Sequence, residues 1–168
     1  MREITASELL ALSLDLETEL DRLKRLESEI QQVQQEIERD PTRAKLFYEN
    51  QALKLHNFYT GCERIFSLIA SELNGGVPSG FDWHKRLLQR MKVAQGGRPA
   101  LLSAKTAHRL EEYLGFRHVV RNVYGFELDV LRVERLVVEY FSVWHQFESN
   151  VRDFIGWLEA LAEQLGDF

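Results

Sequence analysis

SELLALSLDLETELDRLKRLESEIQQVQQEIER, residues 7–39, places Leu9, Leu12, Leu16, Leu20, Leu23, Leu26, Ile30, Val33 and Ile37 at steps of three and four. Such steps align side chains along one stripe of an α-helix, the seam by which helices pack in bundles and coiled coils. Ser7 is the expected N-cap, and Asp40-Pro41 the stop. The helix would run roughly 50 Å at the standard rise, and a helix of that length needs long partners.

The first partner follows directly. Residues 42–74 read as a second helix whose inner face holds Leu55, Phe58, Tyr59, Cys62, Ile65, Phe66, Ile69 and Leu73, with Asn74-Gly75-Gly76 as its C-terminal signal. The short link across Pro41 makes the two helices antiparallel neighbours. A loop over 75–82 leads to a short helix over 83–95, capped by Asp82. Gly96-Gly97-Arg98-Pro99 is the next break. Ser103 caps a helix through Leu114, which Gly115 is expected to kink before residues 116–125. A turn at 126–129 precedes a last helix over 130–165, with Val137, Tyr140, Phe141, Trp144, Phe147, Val151, Phe154, Ile155, Leu158 and Leu165 inside. No strand alternation or internal repeat stands out. The reading is an all-α bundle of three long and two shorter helices, one domain over residues 1–168.

Composition narrows the function classes. The chain has 168 residues, 45% hydrophobic and 28% charged, enough for one domain with a real core. Charged residues interrupt the first segment at Glu3, Glu8 and Asp15, unlike a signal peptide. No run approaches the roughly 18–20 apolar residues of a membrane span. The single cysteine, Cys62, excludes an intrachain disulfide framework and sits at helical spacing between Phe58 and Phe66, as a buried thiol would. These points favour the cytoplasm. The formal net charge of −5 opposes non-specific coating of nucleic acid, so any polyanion site must be local.

The best local candidate is Phe-Arg-His-Val-Val-Arg-Asn-Val-Tyr-Gly, residues 116–125. Read as one helix, it carries Phe116, Val119, Val120 and Val123 on a buried stripe. Arg117, His118, Arg121, Asn122 and Gly125 then share the opposite side, with Tyr124 at the edge. Arg117 and Arg121 are i, i+4 neighbours whose charges repel unless an anion lies between them. Glu111 or Glu112 could supply that anion as a structural salt bridge. A phosphate is the functional alternative, because guanidinium presents planar donors to its oxygens. His118 could accept a proton, and Tyr124 offers a hydroxyl and a ring.

The segment resembles the Arg-x4-6-His motif of the HEPN superfamily, and in particular HepT-like toxins, whose fuller pattern is Arg-[Asn/His]-x-x-x-His-x-Tyr. Arg117 takes the arginine position, His118 the polar position after it and Tyr124 the tyrosine. Gly75-Gly76, Asp82-Trp83-His84 with Leu87-Leu88 and Met91, Arg98-Pro99, Phe116-Arg117-His118 and Phe126-Glu127-Leu128-Asp129 extend the likeness over roughly residues 45–160. The resemblance implies a metal-independent endoribonuclease without cofactor, acting as a homodimer that joins two motif copies in one cleft. The RNA 2′-hydroxyl attacks the adjacent phosphate, histidine moves protons, and Arg117 stabilises the developing charge. His118 and Arg121 are then RNA contacts. The resemblance also implies a type II toxin–antitoxin system with a minimal nucleotidyltransferase antitoxin. That partner adds AMP to Tyr124 and blocks the cleft with bulk and negative charge.

One position departs from the pattern. Asn122 stands where the catalytic histidine belongs, and a carboxamide has no useful acid–base chemistry. The expected consequence is cleavage weakened by about 10²–10⁴-fold. Three accounts are open: an inactivated variant, a natural relative that binds without cleaving, or transfer of the role to His118. An alternative from another class is a non-catalytic helical interaction module that dimerises through apolar faces. Metal binding has no support in sequence, since the five histidines form no i, i+4 pair and Cys62 has no cysteine partner.

Overall fold

The computed structural model describes residues 3–166, apart from the Phe126 side chain; the span of 1–168 read from sequence runs past it at both ends. Five α-helices lie among the described residues: α1 Ala6–Arg39, α2 Ala44–Leu73, α3 Trp83–Met91, α4 Ala104–Asn122 and α5 Val130–Leu165. Three are long and two short, with no strand among the described residues, as expected.

The leucine seam of α1 is buried from Leu9 to Ile30, while Val33 and Ile37 are only partly covered. Its N-cap is Thr5 rather than Ser7. Thr5 Oγ1 accepts from Glu8 N at 3.2 Å, and the Glu8 carboxylate accepts from Thr5 N at 2.9 Å. This reciprocal capping box satisfies donors that Ser7, already inside the helix, cannot reach. Asp40 ends α1, and Pro41–Arg43 forms a 3₁₀ turn before α2 starts, two residues later than the sequence suggested. Lys54 meets Glu29, and Gln51 meets Gln34, so numbers rise on one helix as they fall on the other. The pair is antiparallel. A Cβ on Gly61 of α2 would stand 2.5 Å from Leu23 Cδ2, so glycine permits the close approach of α1 and α2. Its helix-propensity cost of about 0.5–1 kcal/mol is accepted there.

Helix α5 runs antiparallel to α1, through Ser13–Glu159 and His145–Glu27, and parallel to α2. Phe58 is the aromatic hub between α2, α4 and α5, with edge-on contacts to Tyr113 at 5.4 Å, Tyr140 at 5.0 Å and Phe147 at 6.4 Å. Tyr113 donates to the Leu136 carbonyl at 2.8 Å and pins α4 to α5. Cys62 is fully buried in this core, and burial pushes its thiol far up, as an inert thiol requires. Leu165, expected inside, is 51% exposed.

The short α3 crosses between α2 and α4. Asp82 occupies its N-cap position, but its side chain makes no capping bond. The α3–α4 loop is held by Arg98, which is 3% exposed. Its guanidinium donates to Asn74 Oδ1 at 2.7 Å and to the carbonyls of Val93, Pro99 and Arg90 at 3.1, 2.9 and 3.1 Å. Ser103 caps α4 as expected, accepting from Thr106 N at 3.1 Å.

A buried junction and an open helix end

Helix α4 is continuous through Gly115, so no kink resets its phase. The buried stripe of its first half, Thr106, Leu110 and Tyr113, therefore continues to Arg117, at i, i+4, i+7 and i+11. This corrects the two-faced reading of residues 116–125. Phe116 is buried, but Val119, Val120 and Val123 are only half-buried, and the Arg117 side chain is 11% exposed. Arg117 thus turns inward, away from His118 and Asn122.

Its partner is neither Glu111 nor Glu112. Glu111 accepts from Gln89 at 2.9 Å, and Glu112 pairs with Arg135 at 2.8 Å. Arg117 Nη1 instead lies 3.6 Å from Glu63 Oε1 on α2, whose side chain is 8% exposed. The second Glu63 oxygen is 2.6 Å from His84 Nδ1 on α3, and His84 Nδ1 is 3.3 Å from Arg117 Nη1. Three helices thereby place a carboxylate, an imidazole and a guanidinium together. A carboxylate only accepts, so the short bond assigns the proton to His84 Nδ1. Trp83 stacks on the imidazole with ring centres 3.6 Å apart and planes 29° apart. Arg117 Nε is buried without a hydrogen-bond partner.

Sequence reading missed Glu63 and gave His84 only a minor place. The available signal was Glu63 itself. It borders the stripe Tyr59-Cys62-Phe66, and no cation stands one turn before or after it on α2. A carboxylate in that position must find its cation on another element.

The other motif residues lie at the open end of α4. His118, Arg121 and Asn122 are all exposed. The Asn122 amide donates to the His118 carbonyl at 2.7 Å and lies 3.4 Å from His118 Nδ1. That side-chain bond satisfies a carbonyl of the last turn, and the helix stops at Asn122. Val123 is extended, and Tyr124 precedes a 3₁₀ turn at Gly125–Glu127. Tyr124 is therefore off the helix rather than on its edge, and 71% exposed. From α2, His56 faces this region. Burial, and then the charges of Arg117 and Arg121, hold its imidazole below the ordinary value despite an Asn57 hydrogen bond.

Among the described residues, no group of three or more His, Cys, Asp and Glu side chains could hold a metal ion. No helix there is long and apolar enough to cross a membrane.

The chain matches the family model described as HepT-like protein over residues 51–158, and it belongs to that family, which is of HEPN type. The family has a toxin-related ribonuclease fold, and its members are usually partnered in toxin–antitoxin pairs. No curated protein and no solved structure matches the chain.

Proposed function

We propose that this chain is the toxin of a type II toxin–antitoxin pair, built on a metal-independent endoribonuclease scaffold. One observation supports this above the others. Arg117, in the family's arginine position, is held at a three-helix junction with its Nε unpartnered, and Arg121 stands one turn further on. The part of this side chain left exposed, 11%, can meet a phosphate oxygen, and the fixed geometry favours charge that develops at the phosphate during cleavage. Arg121 and His118, both exposed, are the contacts to the RNA strand. Asn122 leaves the histidine position without acid–base chemistry, so cleavage is weak.

The chain acts as a homodimer in the cytoplasm. Leu46 and Leu53 on α2, and Leu131 and Val138 on α5, are exposed around the end of the bundle that carries Tyr124. Pairing two such ends joins two arginine pairs in one cleft. Tyr124 is the control point, because its exposed side chain is open to the nucleotidyltransferase antitoxin. AMP there sets a new negative charge beside Arg121. The second reading, a non-catalytic interaction module, is favoured by the same exposed leucines and by Asn122.

Asn122→His separates the two. It should raise cleavage of single-stranded RNA by about 100-fold and slow growth of the expressing cell. A dimeric Asn122→His protein that neither cleaves RNA nor slows growth leaves the interaction module standing. Coexpression with a minimal nucleotidyltransferase should add the mass of AMP to Tyr124, and Tyr124→Phe should abolish that gain. An unmodified Tyr124 removes the proposed control.

A further inference from the structure

The geometry points to His84 as the proton-transfer residue of this chain, oriented by Glu63 and set against Arg117. This rests on the ribonuclease reading and supplies what Asn122 withdraws from it. The imidazole has one nitrogen committed and one free. Nδ1–H donates to Glu63 at 2.6 Å, and Nε2 makes no hydrogen bond among the described residues. The side chain is 27% exposed, so the free nitrogen can be reached. Trp83 fixes the plane of the ring. A carboxylate that holds one imidazole nitrogen fixes the tautomer and stabilises the imidazolium formed when the other takes a proton.

The neighbourhood has the remaining parts. Arg117 Nη1 lies 3.3 Å from His84 Nδ1, which sets the guanidinium beside the imidazole. On the α1 side, a groove of about 460 Å³ is bordered by Glu63, Arg64, Ser67, Thr60, Glu19 and Trp83. Thr60 Oγ1 and Glu19 Oε2, of residues along this groove, are buried without partners. His118 has no such setting. It is exposed, and its near neighbour is the Asn122 amide rather than a carboxylate.

The RNA 2′-hydroxyl gives its proton to His84 Nε2, and the 2′-oxygen forms a bond to the adjacent phosphorus. The bond from phosphorus to the 5′-oxygen breaks, and that oxygen leaves with a proton from water. The products are a 2′,3′-cyclic phosphate and a 5′-hydroxyl. Arg117 stabilises the charge on the phosphorane oxygens. His84 then returns its proton to solvent.

His84→Gln tests this in the full chain, with a mixed-sequence single-stranded RNA oligonucleotide as probe and cyclic-phosphate ends as readout. A glutamine amide can still donate to Glu63 but cannot take up a proton. Cleavage should fall about 100-fold or more, with melting temperature and RNA binding unchanged. Equal cleavage by His84→Gln and the parent overturns the role of His84 and leaves the ribonuclease reading intact. A parent that does not cleave beside an Asn122→His variant that does has the same meaning. Absence of cleavage in both overturns the two together. If His84→Gln melts early, His84→Ala with free imidazole decides. A rate that climbs with imidazole concentration supports proton transfer at this position, and a flat rate overturns it.

Discussion

Two arginines close the two ends of the α3 region, and the chain treats them differently. Arg98 is saturated: four acceptors, all neutral oxygens, surround its guanidinium at 2.7–3.1 Å. Arg117 is only partly buried and underserved, with a carboxylate at 3.6 Å and a buried Nε that has no partner. The first arrangement closes a loop, tying the α2 end at Asn74 to the α3 end at Arg90. The second leaves donor capacity unspent beside His84. A saturated guanidinium is part of the construction, whereas an unsaturated one suits an anion that arrives later.

Arg98→Met gives the sharpest test of that contrast. It removes four hydrogen bonds from a charged donor and strands buried carbonyls, so the loss in stability should be about 4 kcal/mol. Urea unfolding measures it directly, and the melting temperature should drop by about 10 °C. A loss under about 1 kcal/mol would make Arg98 dispensable and break the comparison. Arg117→Met should weigh on activity more than on stability. Glu63 keeps its His84 bond but loses its cation, so the loss in stability should be about 2–3 kcal/mol, below that of Arg98→Met. Cleavage of RNA should instead fall by about 10²–10³-fold. If Arg117→Met unfolds as readily as Arg98→Met, Arg117 is a structural pin of the same kind.

Sequence could reveal one of these arginines' surroundings only in part. The seams of α1 and α2 were legible because their apolar steps repeat over many turns and outvote local noise; Leu9 to Ile30 and Leu55 to Ile69 are buried as spaced. The phase of α4 was not. Its apolar residues are few, Gly115 looked like a break, and residues 116–125 taken alone give a stripe through the valines. Carrying the register forward from Leu110 and Tyr113 would have turned Arg117 inward. The partner Glu63 lies 54 positions away in the chain, on a helix whose own pattern gives no distance to α4. The end of α4 was missed for another reason. Asn122 was read for its lack of acid–base chemistry, while its amide also satisfies the His118 carbonyl and ends the helix. Tyr124 then leaves the helical face.

His56 offers the smallest effect and the finest probe of Arg117 and Arg121. Burial first, and then those two charges, hold its imidazole below the ordinary value. The unfolded chain, with an imidazole near the usual value of about 6.5, takes the proton first as pH falls. Neutral His56 therefore contributes its full stability above that pH, and the contribution is lost as pH falls toward the folded value. His56→Gln should flatten this acid limb, reducing the drop in melting temperature between pH 7.5 and 5.5 by roughly a degree or two. The effect is small because the side chain is only partly covered and solvent screens the arginines. Arg117→Met should move the His56 NMR titration upward without reaching the ordinary value, since burial, the larger cause, persists. A titration that stays put would place Arg117 too far from His56 to share a phosphate-binding surface with it, and would confine the cationic end of α4 to Arg121.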